Sequence, residues 1–111
     1  MRQAFKEEAL IEIVGDSGDA GLAILEIRKL DPDVVILDIR MPGGGGMPVL
    51  EDLKRRTPDR IAIILTTFAN KEYREAYLTA GADYFFDKTT DIVEMIDLLV
   101  KMASEEELVI G

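Results

Sequence analysis

Apolar positions along the chain alternate between two kinds of stretch. The first kind is short and reads as strand. Residues 11–15, Ile-Glu-Ile-Val-Gly, place Ile11 and Ile13 on one face of a strand. Residues 34–38, Val-Val-Ile-Leu-Asp, and residues 61–66, Ile-Ala-Ile-Ile-Leu-Thr, are near-continuous apolar runs. Such runs suit strands buried on both faces, as in a parallel sheet. Residues 84–86, Tyr-Phe-Phe, form a shorter strand of the same type. The second kind has helical spacing. Ala20, Ile24, Ile27 and Leu30 form one stripe, and Val49, Leu50 and Leu53 another; Tyr73, Ala76, Tyr77 and Ala80 make a third, and Ile92, Met95, Ile96 and Leu99 a fourth.

Breakers separate these stretches. Asp31-Pro32-Asp33 ends the helix over 20–30, Pro48 suits the first turn of the next, and Thr57-Pro58-Asp59 breaks that one. Lys54-Arg55-Arg56 sets cations at its C-terminal end. Asn70 is placed to cap a helix over 70–80 that Gly81 closes, and Thr90 or Asp91 to cap a last helix that fades near Met102. Residues 2–8 read as about two helical turns, with Ala4, Phe5 and Ala9 on one side, and look like the second half of a longer helix. Residues 16–19 are a polar loop. Strands and helices therefore alternate throughout. That predicts an α/β fold, a parallel sheet with helices on both faces. One domain over 1–103, followed by a tail over 104–111, accounts for the whole chain.

The candidate chemistry lies at strand ends. Asp38 closes one strand, Thr66 closes the next, and Lys88 follows the last. Parallel strands put their carboxyl ends on one edge of the sheet, where open α/β folds bind ligands. A carboxylate, a hydroxyl and an ammonium should meet there. The set suits phosphoryl transfer, with a carboxylate nucleophile forming an acyl phosphate and the other two groups holding phosphoryl oxygens. Taken singly, each has a plainer role: Asp38 as a turn former, Thr66 as a β-former, Lys88 as a solvated cation. Gly43 to Gly46, after Met41-Pro42, would let backbone approach a ligand closely or make a flexible turn. Joint placement at three strand ends is what singles the residues out.

Composition narrows the classes. At 111 residues, 48% hydrophobic and 32% charged, the chain has enough apolar content for one core. No apolar run approaches the roughly 20 residues of a membrane span, and the N-terminus lacks a signal-peptide apolar region. A cytoplasmic location without membrane contact is the expectation. Without Cys there is no thiolate metal site, and without His the commonest general base is missing. A net charge of −9 predicts no direct nucleic acid contact.

Three segments then carry a resemblance: Leu-Asp-Ile-Arg-Met-Pro-Gly at 37–43, Leu-Thr-Thr-Phe at 65–68, and Gly-Ala-Asp-Tyr-Phe-Phe-Asp-Lys at 81–88. In order and spacing they resemble the CheY-like receiver domain of two-component response regulators, over about residues 2–102. The resemblance implies a flavodoxin-like fold and a signalling domain rather than an enzyme. It implies that Asp38 is the phosphoacceptor, served by a sensor histidine kinase, and that an unknown effector protein reads the result. Thr66 and Phe85 match the family's switch positions, and Lys88 its ammonium. Mg²⁺ is the implied cofactor, held by Asp38 and the backbone carbonyl of Arg40. Tyr73, Tyr77 and Phe85 are plausible reporters, with at least one tyrosine expected in the core.

The sequence departs from the family at its start. Receivers begin with a strand ending in two acidic residues that bind the Mg²⁺; here the first residues already match the helix that follows. An N-terminal truncation of about 20 residues is the expectation. In the flavodoxin-like order 2-1-3-4-5 the missing strand is central. Three remedies are open: direct pairing of 11–15 with 34–38, insertion of 107–110 as a parallel strand, or chain exchange in a homodimer. Asp16 and Asp19 are weak replacements for the acidic pair. Impaired Mg²⁺ binding and phosphorylation follow. The alternative is a degenerate receiver acting as a phosphorylation-independent interaction or dimerisation module. A phosphatase of the haloacid dehalogenase type would want a second Asp where Arg40 stands. A flavin-binding module would want its loop after a different strand and is disfavoured by the absence of Trp.

Overall fold

Apolar runs with side chains alternating across a pleated sheet need cover on both faces. A computed structural model, which describes residues 11–14, 20–39 and 45–110, shows how the chain provides it. The elements in chain order are β1 (Ile11–Val14), α1 (Ala20–Leu30), β2 (Val34–Leu37), α2 (Met47–Arg56), β3 (Ile61–Thr66), α3 (Lys71–Thr79), β4 (Tyr84–Asp87) and α4 (Ile92–Ile110). The expected helix over 2–8, the loop 16–19 with Asp16 and Asp19, and Arg40 lie outside the described residues.

The four strands pair in chain order, β1-β2-β3-β4, all parallel. β1 is hydrogen-bonded directly to β2, with Ile11 opposite Val34 and Val14 opposite Leu37. Of the three ways to complete the sheet, direct pairing is the one observed. Insertion of residues 107–110 as a strand is ruled out, because they belong to α4. The expected fading of that helix near Met102 is also corrected. No Gly or Pro interrupts the sequence before Gly111, and Met-Ala-Ser-Glu-Glu-Glu-Leu continues the helix to Ile110.

Right-handed crossovers between strands paired in chain order put every connecting helix on the same face. The main core has that composition. Ala20, Ala23 and Ile27 of α1, Val49, Leu50 and Leu53 of α2, and Tyr77 of α3 pack with Val35, Leu37, Ala62, Ile64 and Phe85 from the sheet. The other face presents Val34, Ile36 and Ile63, covered by Met95 with Leu98, Leu99 and Met102 of α4.

Local signals match their positions. Asn70 caps α3, its side chain accepting from the Tyr73 N–H at 2.8 Å. Asn70→Ala should lower unfolding free energy by about 1 kcal/mol, read as a shift in the urea midpoint; no shift would show that this cap is redundant. Arg55 and Arg56 do more than face the α2 dipole. Both donate to the buried carboxylate of Asp52, at 3.0 and 3.1 Å, and Arg28 of α1 donates to it at 2.6 Å. One buried acid thus ties α1 to α2.

Candidate functional site

β2, β3 and β4 are adjacent and parallel, so their carboxyl ends share one edge. Asp38 immediately follows β2, its side chain only 12% exposed. Lys88 follows β4, and its Nζ lies 3.3 Å from Asp38 Oδ2 across 50 positions of sequence. Main-chain pairing sets that approach. Thr66 stands opposite Asp87 in the ladder, and the Lys88 N–H donates to the Thr66 carbonyl at 2.9 Å. Thr66 is fully buried, and its hydroxyl accepts from the Phe68 N–H at 3.0 Å. The expected convergence of Asp38 and Lys88 is therefore direct, and Thr66 is held beside Lys88 by the sheet.

Two acids flanking Lys88 serve the turn rather than the site. Asp87 accepts from the hydroxyl and the N–H of Thr89, at 2.6 and 2.8 Å. The Thr89 hydroxyl, then its N–H, hold the Asp87 carboxyl below the usual carboxylate range. Asp91 accepts the Asp87 N–H at 2.9 Å, and that bond lowers its pKa. The β4–α4 turn is thereby stapled on both sides of Lys88. Sequence reasoning treated these acids only as neighbours or caps; Asp followed by Thr two positions later was the available signal.

The glycines after Asp38 have a steric task. Gly45 has φ +76°, and a Cβ there would lie 2.8 Å from the Ile39 carbonyl oxygen. A Cβ on Gly46 would lie 3.2 Å from the Asp38 carbonyl oxygen. Gly45 and Gly46 lie close against the Asp38–Ile39 backbone, an approach that the missing Cβ atoms make possible.

Phe85 is buried, with its ring 6.5 Å from that of Tyr77 and the Arg74 guanidinium 5.0 Å from its centroid. Tyr77 is the core tyrosine of the expected pair, whereas Tyr73 is exposed. As for Mg²⁺, no group of three His, Cys, Asp or Glu able to hold a metal occurs among the described residues. Asp38 offers one carboxylate, already beside an ammonium. Mg²⁺ prefers about six oxygens, several of them waters, so the described side chains do not by themselves form its site.

A parallel sheet with helices on both faces, with Asp38 facing Lys88 at its carboxyl edge, is the arrangement that the receiver resemblance implies. The chain belongs to the response regulator receiver domain family, whose model matches residues 1–106. It is 32% identical over 85 residues to the DNA-binding transcriptional activator DevR/DosR of Mycobacterium tuberculosis, covering 77% of this chain and 39% of that protein. It is 37% identical over 89 residues to the uncharacterized transcriptional regulatory protein YvfU of Bacillus subtilis, covering 80% of this chain and 44% of that protein. The chain thus spans less than half the length of either relative. Among solved structures, a two-component response regulator of the LuxR family from Aurantimonas superposes with a TM-score of 0.75 at 18% identity, over 88% of this chain and 87% of that one. The fold is that of the CheY-like receivers. Receiver domains of this family are signalling domains of two-component systems. No helix among the described residues is long and apolar enough to cross a membrane.

Proposed function

We propose that Asp38 is the phosphoacceptor of this receiver. The observation that carries the reading is the Lys88 ammonium 3.3 Å from Asp38 Oδ2 at the shared strand edge. A carboxylate oxygen of Asp38 attacks phosphorus on the phosphohistidine of a sensor kinase. The O–P bond forms, the P–N bond breaks, and the imidazole leaves with its electron pair. Lys88 neutralises the added charge, and the Thr66 hydroxyl turns from its local bond to donate to a phosphoryl oxygen. Phe85 follows, and an effector protein reads the change. This assigns the chain to the cytoplasm, where such kinases act on their regulators.

The family resemblance calls for Mg²⁺ at Asp38 and the Arg40 carbonyl. With one carboxylate as the only acidic side chain assigned to the ion, we expect weak binding and slow phosphorylation of the 111-residue chain. At a net charge of −9 these residues are not expected to contact nucleic acid. DNA binding is stated for longer relatives, such as DevR/DosR, of which this chain covers 39%. Incubation with acetyl phosphate and Mg²⁺, followed by intact mass and peptide mapping, tests the reading. Slow, substoichiometric labelling confined to Asp38 is the expected result. Rapid stoichiometric labelling at Asp38 would overturn the impairment but keep the acceptor, while labelling at another residue would overturn both.

The alternative, a phosphorylation-independent interaction module, has one observation in its favour. Val93, Ile96 and Val100 share one side of α4, and Val93 and Val100 are 66% and 62% exposed. An apolar stripe of this kind suits a homodimer contact, and sedimentation of the unphosphorylated chain distinguishes monomer from dimer.

A further inference from the structure

The chain carries 22 acids against 13 cations, yet several of its cations gather in one place. The last turn of α1 holds Arg28 and Lys29, and that of α2 holds Lys54, Arg55 and Arg56. The two helix ends lie side by side, joined by the ion pair of Arg28 with Asp52. Lys54 is committed to the fold, donating to the Arg60 carbonyl at 2.6 Å and to the Asp83 carboxylate at 2.8 Å. Arg28, Lys29, Arg55 and Arg56 remain at the surface.

The three arginines share a single carboxylate. Arg28 donates to Asp52 through Nε and Nη2, at 3.3 and 2.6 Å, Arg55 through Nη2 at 3.0 Å, and Arg56 through Nε at 3.1 Å. Asp52 is buried, whereas Arg28 and Arg55 are exposed and Arg56 is half-buried. A guanidinium has five N–H donors, so each arginine keeps donors that Asp52 does not use. Among the described residues those donors meet no other acceptor, and Glu26 and Glu51, on the same two helices, pair with none of these cations. Three guanidinium groups around one carboxylate leave positive charge uncompensated, and like charges held this close repel one another. Asp52 also fixes the planar forks, so an incoming anion meets donors already oriented.

We propose that the paired C-terminal ends of α1 and α2 are a docking site for a short acidic peptide segment of a partner protein, held by Arg28, Arg55 and Arg56 with Lys29 beside them. Charge complementarity sets the occupant. Asp52 shows that this guanidinium set holds a carboxylate, and the charge left over calls for further carboxylates. A short run of Asp or Glu supplies them. A long polyanion such as duplex DNA would reach past the patch and over a chain of net charge −9, which repels it. Each of these helices ends where the next strand begins, so the patch lies at the amino edge of the sheet, away from Asp38 and Lys88 at the carboxyl edge. The site therefore stands whether or not Asp38 accepts a phosphoryl group.

The test uses the full 111-residue chain and fluorescein-labelled hexaglutamate, followed by fluorescence anisotropy at low ionic strength, where surface charge is least screened. Saturable binding is expected. Lys29→Gln combined with Arg55→Gln should weaken it about fivefold or more. Lys71→Gln combined with Lys101→Gln removes the same charge from α3 and α4 and should change it less than about twofold. A urea midpoint checks the fold of each variant. Lys29→Gln alone, which breaks no bond to Asp52, serves if the first pair unfolds, with a smaller loss in the same direction. Equal weakening by the two pairs would reduce the effect to net charge and overturn the site, as would the absence of saturable binding. Tighter binding of a short duplex DNA, or displacement of the peptide by an equal concentration of inorganic phosphate, would overturn the choice of an acidic peptide.

Discussion

Asp38→Asn is expected to abolish phosphoryl labelling by acetyl phosphate while leaving the fold intact. The amide keeps the size of the carboxylate but has no anionic oxygen to attack phosphorus, so no acyl phosphate forms. The stability effect should be small. The ion pair with Lys88 is only partly buried, the two side chains being 12% and 42% exposed. Exposed pairs contribute at most about 1 kcal/mol. The measurement is intact mass after incubation, paired with a urea unfolding curve for each protein. Loss of labelling with an unchanged urea midpoint assigns the acceptor. Labelling that persists at the original rate would place the acceptor at another residue.

Asp52→Asn is expected to have the largest effect on stability, about 2–3 kcal/mol. The side chain is 7% exposed and accepts from Arg28, Arg55 and Arg56. Removing its charge leaves three guanidinium groups crowded around a neutral amide at the junction of α1 and α2. The cost stays below that of a fully buried pair because Arg28 and Arg55 are 46% and 68% exposed and regain water. The same carboxylate predicts a pH dependence. The side-chain bond from Arg28 is the chief cause that holds Asp52 below the usual carboxylate range; burial opposes it, and the bond from Arg56 assists. A depressed folded-state pKa means that the unfolded chain binds the proton more readily. The stabilisation is therefore fully present above the unfolded carboxylate value of about 3.9 and is lost as pH falls through the lower folded value. Urea midpoints measured from neutral pH down into that acid range should fall less steeply for Asp52→Asn. Parallel curves for the two proteins would show that Asp52 does not titrate with folding.

Much of the sheet was legible because the strands advertise themselves by composition. The run Ile-Ala-Ile-Ile-Leu-Thr is β3 at the residues expected, Ile61–Thr66. Asn70 before a helical stripe is a cap, and Gly81, with φ +117°, ends the same unit. Of the site, Asp38 beside Lys88 was legible for the same reason: parallel strands bring their ends together whatever lies between them. Less was readable where a residue's role depends on groups distant in sequence. Asp52 looked like one polar residue of α2, and nothing local shows that Arg28, 24 positions away, closes on it. Tyr77 read as part of an apolar stripe and a plausible reporter, because helical spacing does not reveal that its ring lies against Gly46 and Phe85.

The sequence alone determined the alternation of elements and the edge that gathers Asp38, Thr66 and Lys88, since both follow from local periodicity and strand direction; the family came from the motifs at 37–43, 65–68 and 81–88, which resemble those of receivers. Tertiary structure decided the rest. It paired β1 directly with β2, carried α4 through to Ile110, and set Gly45 and Gly46 under the phenol of Tyr77. Each of those outcomes turns on which backbone donors, apolar faces and steric gaps meet in space, and periodicity along the chain carries no record of such meetings.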